Sequence, residues 1–273
     1  MLISLATISA QEPFFREHKF DPFYEEIRLG KLAEHSNGLL YLGSDEGLYY
    51  YDGYGLDKLS TNLSLDTNEV TALYEDPTKR LWIGDNSGQI FILGEMGRIT
   101  PWDNISGIES PIAGFDMDSK GGLWVATYGQ GVYYYQNDQV NHFTLEDQLL
   151  GEDIYALVLC GEDKAWIGTD NGISVCHLAE GQKNVVNITR EDGLPDEIIT
   201  EIILDENGNL WLGTDDRGVC HFDAKAWVID HCIPNWTNGA VNSLALFEER
   251  ELWIGTKTRG LWKYSLDQHQ LQT

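Results

Sequence analysis

One four-residue pattern recurs six times along the chain and restricts the folds open to it. Leu40-Tyr41-Leu42-Gly43 returns as Leu81-Trp82-Ile83-Gly84, Leu123-Trp124-Val125-Ala126 and Ala165-Trp166-Ile167-Gly168. The last copies are Leu210-Trp211-Leu212-Gly213 and Leu252-Trp253-Ile254-Gly255. Their fourth positions are 43, 84, 126, 168, 213 and 255, so the intervals are 41, 42, 42, 45 and 42 residues. A fixed period in this range marks an array of supersecondary units, each unable to bury its apolar faces alone.

Each copy has the same neighbours. An apolar, partly β-branched run precedes it, as in Glu69–Glu75 or Ile198–Leu204. A turn with Asp, Asn or Gly follows that run: Asp76–Lys79, Asp118–Gly121 or Asp205–Gly208. After the copy come a polar loop, a third apolar segment such as Val132–Tyr135, and a weaker fourth such as Val140–Thr144. Short β-branched and aromatic runs between tight turns predict strands. Four strands per 42 residues predict an all-β chain folded as a β-propeller of four-stranded antiparallel blades. The expectation is a closed ring of six blades, with a seven-bladed parent as the rival. Phe14–Phe20 aligns with the outer strands and offers a closing strand to the last blade, whose own fourth strand is Gln268–Thr273.

One repeat in full, Glu191-Asp192-Gly193-Leu194-Pro195-Asp196-Glu197 with Asp205–Thr214 and Gly218–Asp223, resembles the two-component regulator propeller repeat. The resemblance extends over about residues 20–267. It implies an exported sensor propeller of a hybrid two-component system, often one that recognises carbohydrate. It also implies signal transduction in which this chain supplies the sensor domain and another region supplies the output.

The first ten residues, Met1–Ala10, read as the remnant of a signal peptide, with Ala10 the last residue removed, and 11–273 as one propeller domain. Periplasmic or secreted localisation is expected. Forty-four acids against 18 bases give a net charge of −26, which disfavours nucleic acid as a partner. No segment approaches the ~20 apolar residues of a membrane helix.

A residue repeated in every blade serves the scaffold. Trp82, Trp124, Trp166, Trp211 and Trp253 are therefore expected to pack blade on blade, and Asp76, Asp118, Asp163 and Asp205 to form turns. Candidate ligand-binding residues are those that break the repeat in the loops of one face: Tyr128, Arg190, Arg217, Asn235, Trp236, Lys257 and Arg259. Aromatics beside rare cations suit a small molecule such as a sugar, or an acidic oligosaccharide; a partner protein is the other class. No motif calls for a cofactor. Cys220, His221, His231 and Cys232 invite a metal or disulfide reading. A turn over Asp223–Ala226, however, pairs His221 with Val228 and leaves the histidines about 10 Å apart. On that register no metal is expected, and the thiols are buried and reduced. The leading reading is a non-enzymatic ligand-binding sensor. The alternatives are a lyase resembling the streptogramin lyases, with no catalytic residue assigned, and a protein-interaction scaffold.

Overall fold

A computed structural model describes residues 27–272 except 62, 95–96, 161–163 and 180. The run Met1–Ala10, the segment Phe14–Phe20 and Asp163 lie outside the described residues.

Six four-stranded antiparallel sheets follow one another along the chain, arranged as the blades of a β-propeller. Blade 1 holds β1 (Leu29–Glu34), β2 (Leu40–Ser44), β3 (Gly47–Tyr51) and β4 (Leu56–Lys58). Blade 2 holds β5 (Val70–Glu75), β6 (Leu81–Asp85), β7 (Ile90–Leu93) and β8 (Ile99–Pro101). Blade 3 holds β9 (Ile112–Met117), β10 (Leu123–Thr127), β11 (Val132–Gln136) and β12 (Gln139–Phe143). Blade 4 holds β13 (Ala156–Leu159), β14 (Lys164–Thr169), β15 (Gly172–Ala179) and β16 (Gln182–Ile188). Blade 5 holds β17 (Ile199–Leu204), β18 (Leu210–Thr214), β19 (Val219–Asp223) and β20 (Val228–Cys232). Blade 6 holds β21 (Val241–Phe247), β22 (Glu251–Thr256), β23 (Gly260–Ser265) and β24 (Gln270–Gln272).

The recurring four-residue pattern is the second strand of every blade, and its aromatic is the seam between blades. Tyr41 packs among Leu81, Ile83 and Phe91 of blade 2. Trp82 packs on Phe115 and Leu123 of blade 3, Trp124 on Ala165 and Ile167 of blade 4, and Trp166 on Leu212 and Phe222 of blade 5. Trp211 packs on Leu252 and Ile254 of blade 6. The pattern's glycine serves the same seam. A Cβ at Gly84 would lie 2.5 Å from Ile112 of blade 3, and one at Gly213 would lie 2.6 Å from Val241 of blade 6. Only a missing side chain lets the first strand of the next blade approach so closely.

The repeated acid organises the hairpin between first and second strands. Asp76 accepts hydrogen bonds from the backbone N–H groups of Thr78 and Arg80 and from Trp82 Nε1 at 2.9 Å. Asp118 accepts from Lys120 N, Gly122 N and the Tyr134 hydroxyl. Asp205 accepts from Asn207 N and Asn209 N. These carboxylates are turn formers, as the repeat position predicts.

Among the described residues, the seam between blades 6 and 1 differs from the other five. Inner strands pack in the sequence β1, β5, β9, β13, β17, β21, but β21 and β1 do not pack on each other in the same way. The blade 6 glycine, Gly255, meets only its own Ser243. At the matching anchor position blade 1 carries Leu29, which is 45% exposed, where the next blades carry Val70 and Ile112, both buried. Five seams are packed among the described residues, and the sixth lacks its anchor.

This asymmetry predicts the cost of removing the seam aromatics. Trp124 is 1% exposed, whereas Trp253, facing the unpacked seam, is only partly buried. Trp124→Ala is expected to destabilise by about 3–5 kcal/mol and Trp253→Ala by less than about 2 kcal/mol, compared by urea unfolding. Equal losses would contradict the seam assignment.

Candidate functional site

The loops between second and third strands and the connections between blades share one face. Each such loop is hydrogen-bonded to the connection entering its own blade: Asn86 N to Glu69 O, Tyr128 N to Pro111 O, and Lys257 N to Ala240 O. All seven sequence-predicted ligand residues lie on these segments, spread over three blades. Tyr128 belongs to blade 3, Arg190 and Arg217 to blade 5, and Asn235, Trp236, Lys257 and Arg259 to blade 6 and its entry.

The two blade 5 arginines sit beside carboxylates. Arg190 Nη1 lies 3.9 Å from Glu197, and Arg217 Nε lies 3.7 Å from Asp216. Both side chains are more than half exposed, so these are ordinary surface pairs contributing little. Trp236 has a packing role. Its indole lies over Gly218, where a Cβ would be 2.4 Å from the ring, and its Nε1 donates to Gly239 O at 2.8 Å. Gly218, at φ 78°, accepts both the turn and the ring. Asn235 supplies the left-handed residue of the connection, at φ 56°. Arg259 shapes its own loop, its N–H donating to Thr256 Oγ1 and its carbonyl accepting from Trp262 Nε1.

Tyr128 is placed differently. Its backbone bridges to Asp153, and its ring lies 6.0 Å from that of Tyr155 at 61°. Burial, then the charges of Glu201 and Tyr155, push its phenol above the ordinary range. The sequence reading missed Glu201 and Tyr155. Glu201 pairs with Gly213 on the inner strand of blade 5, at the register position that Lys31, Ala72, Gly114, Ala156 and Ser243 hold in the others. Four of those five are small. Glu201 interacts electrostatically with Tyr128 of blade 3 and with Lys31 of blade 1, so its carboxyl reaches into the space the blades surround. Burial pushes that carboxyl up from 4.5 to about 7, against a smaller opposing pull from Lys31. Beside it, Thr200 Oγ1 is buried with no hydrogen-bond partner. The Tyr155 phenol is raised by burial and by Asp153, Asp170 and Asp215, which give this mouth an acidic rim. Two aromatic rings and a half-buried carboxyl that is neutral or charged near pH 7 make a candidate polar recognition site. A groove of about 500 Å³ between blades 4 and 5, lined by Lys164, Trp166, His177 and Trp227, lies at the turn end of the sheets, away from these loops.

The outer hairpin of blade 5 corrects the sequence reading. Trp227 adopts a left-handed conformation, φ 59°, and donates its N–H to Asp223 O, so the turn is longer than the expected Asp223–Ala226. Pairing then runs Asp223 with Val228 and Phe222 with Ile229. A bulge follows, and then His221 pairs with His231 and Cys220 with Cys232. The register is shifted by two residues before the bulge and three after it. The histidines therefore face each other, with ring centroids 5.3 Å apart, and Cys220 and Cys232 form a disulfide. Neither the 10 Å separation nor the reduced state of these two thiols holds. Cys160 and Cys176 are free, the latter buried.

Two stretches, residues 64–87 and 193–216, match the two-component regulator propeller model. No curated protein sequence matches the chain. Among solved structures, it is similar to the extracellular domain of a hybrid two-component system from B. thetaiotaomicron. That match has 21% identity and a TM-score of 0.72, and covers 89% of this chain and 34% of that one. The extracellular domain of a one-component system from B. thetaiotaomicron is similar at 21% identity, TM-score 0.75, over 91% and 33%. A streptogramin B lyase shares the fold at 13% identity, TM-score 0.71, over 89% and 81%. The chain spans about a third of the length of the two sensor domains. No helix among the described residues is long and apolar enough to cross a membrane.

The raised Glu201 carboxyl gives a signed stability prediction. Its folded pKa lies above its ordinary one, so the folded state holds the proton more tightly. Its burial then costs nothing below about pH 4.5, and the cost grows until the pH passes about 7. Glu201→Gln is expected to stabilise the protein at pH 8 by up to about 3 kcal/mol, with little change at pH 4, measured by urea unfolding. An equal effect at both pH values would contradict the burial of this carboxyl.

Proposed function

We propose that this propeller is the ligand-recognising part of an exported sensor of the two-component type. It binds a neutral, polyhydroxylated small molecule at the mouth formed by Tyr128, Tyr155 and Glu201. The observation that carries the reading is this group: inner-strand positions that are small in most blades give way to one half-buried carboxyl beside paired tyrosines. Aromatic faces pack on the C–H faces of a sugar ring, and a carboxyl meets its hydroxyl groups. The rim acids Asp153, Asp170 and Asp215 and the net charge of −26 favour a neutral oligosaccharide over an acidic one. Of the residues expected from sequence, Tyr128 stays central. Arg190, Arg217, Lys257 and Arg259 are outer contacts for a longer ligand, while Asn235 and Trp236 hold the blade 6 entry in shape.

The sensor role is supported by the matched repeats and by the likeness to extracellular domains of two-component systems. Export is supported by the Cys220–Cys232 disulfide, since such bonds persist mainly in oxidising compartments. A lyase needs a general acid or base at the mouth. Glu201 is the one raised carboxyl described at the mouth, and His177 and His221 lie instead on the third strands β15 and β19, so no histidine pairs with it there and binding is the preferred reading.

Isothermal titration of the full chain against a panel of neutral and uronic-acid oligosaccharides tests the proposal. At least one neutral glycan is expected to bind, with Tyr128→Ala and Glu201→Gln each weakening it about tenfold or more, the loss of one or two buried polar or stacking contacts. Binding of acidic glycans alone, or binding indifferent to both substitutions, would overturn it.

A further inference from the structure

Blade 5 departs from the others at one point that the scaffold does not explain. The third-strand residue opposite the seam aromatic is Tyr50, Ile92, Tyr134, Val175 and Lys263 in blades 1, 2, 3, 4 and 6. Its outer-strand partners there are Asp57, Thr100, Asn141, Val186 and Gln272. Only blade 5 has histidine at both positions, His221 opposite His231. The bulge beside this pair inserts Asp230, which turns its carboxylate to the same side as both rings. His221 Nδ1 lies 3.2 Å from Asp230 Oδ2 and His231 Nδ1 lies 2.9 Å from the same oxygen. The three ligand atoms all lie within 4.8 Å of one another.

We propose that His221, Asp230 and His231 form a binding site for a divalent first-row transition ion such as zinc, with a fourth position open to solvent. Two imidazole nitrogens and one carboxylate oxygen are a donor set that suits such ions. In a tetrahedral site with bonds of about 2.0–2.1 Å, neighbouring ligand atoms stand about 3.3 Å apart. Two of the three separations are already close to that, and the third needs only a small side-chain rotation. Asp205 completes the arrangement from behind. Its Oδ2 lies 3.1 Å from His221 Nε2, so it accepts the Nε2 proton and leaves Nδ1 as a lone-pair donor facing Asp230. His221 thus faces a carboxylate at each ring nitrogen, Asp205 behind it and Asp230 across the position the ion would take.

Exposure and support also fit a built site. His221 is 13% exposed and Asp205 9%, while His231 at 39% and Asp230 at 59% leave one side open to an entering ion. Trp211 backs both imidazoles, with ring centroids 4.7 Å from His221 and 5.5 Å from His231. The Cys220–Cys232 disulfide ties the two strands at the adjacent residue pair and so holds the histidines in register. The site lies on the outer hairpin of blade 5, separate from the mouth at Tyr128 and Glu201.

The test is isothermal titration of the metal-free full chain with zinc, in excess calcium to occupy exposed acids, together with the visible spectrum of the cobalt(II) form. One zinc per chain is expected, with the d–d bands of a four-coordinate cobalt site. Asp230→Asn and His231→Ala should each abolish the bands and weaken zinc binding at least about tenfold. Asp205→Asn, acting through His221, should weaken it about tenfold to a hundredfold. Near-ultraviolet circular dichroism of each variant confirms that the fold is kept. No stoichiometric zinc binding, or binding unchanged in Asp230→Asn and His231→Ala, would overturn the proposal.

Discussion

The insertion of one aromatic side chain from the second strand of each blade into the face of the next holds this protein together. A four-stranded meander has two apolar faces and cannot hide both, so each sheet is stable only when covered on both sides. Trp82, Trp124, Trp166 and Trp211, each no more than 3% exposed, supply that cover, and Tyr41 does so for the first seam. The glycine two positions later brings the next inner strand into contact, and the turn acid fixes the hairpin from which the aromatic projects. These three residues recur because each seam poses the same packing problem.

Function uses the positions where the recurrence fails. Glu201 stands where other blades place mostly small residues, and its partial burial pushes its carboxyl up to about 7. Tyr128 and Tyr155 turn their rings toward each other at the loop face. In the outer hairpin of blade 5, two histidines and a bulged aspartate replace pairs that in the other blades hold no histidine and at most one charged residue. A rigid array of near-identical sheets lets single substitutions create local chemistry at little cost to the fold, because the seams carry the stability.

The fold was readable from sequence because the period, the turn residues and the seam aromatics are all local patterns. The roles of Trp82 and Asp76 follow from repetition alone. Register in the last hairpin of blade 5 was not readable in the same way. It depends on Trp227 adopting a left-handed backbone, which bulky residues seldom do, and on a bulge at Asp230. Those two irregularities bring Cys220 to Cys232 and His221 to His231. Six copies look equivalent in sequence, yet among the described residues the exposed Leu29 shows that blade 1 lacks the buried anchor of the blades that follow. Glu201 could have been found by aligning the inner strands, where it stands out among alanine, glycine and serine. Arg217 sits beside Asp216, one of the pairings open to a solvated loop cation, and Arg190 sits beside Glu197 across its own connection.

The claim that seams between blades carry the stability is tested most directly by a double-mutant cycle across one of them. Trp166 of blade 4 and Phe222 of blade 5 meet edge to face, with centroids 5.6 Å apart. Unfolding free energies of Trp166→Ala, Phe222→Ala and the double variant should show a coupling of about 0.5–1.5 kcal/mol. Strict additivity, within about 0.3 kcal/mol, would mean that the blades do not hold one another through these rings.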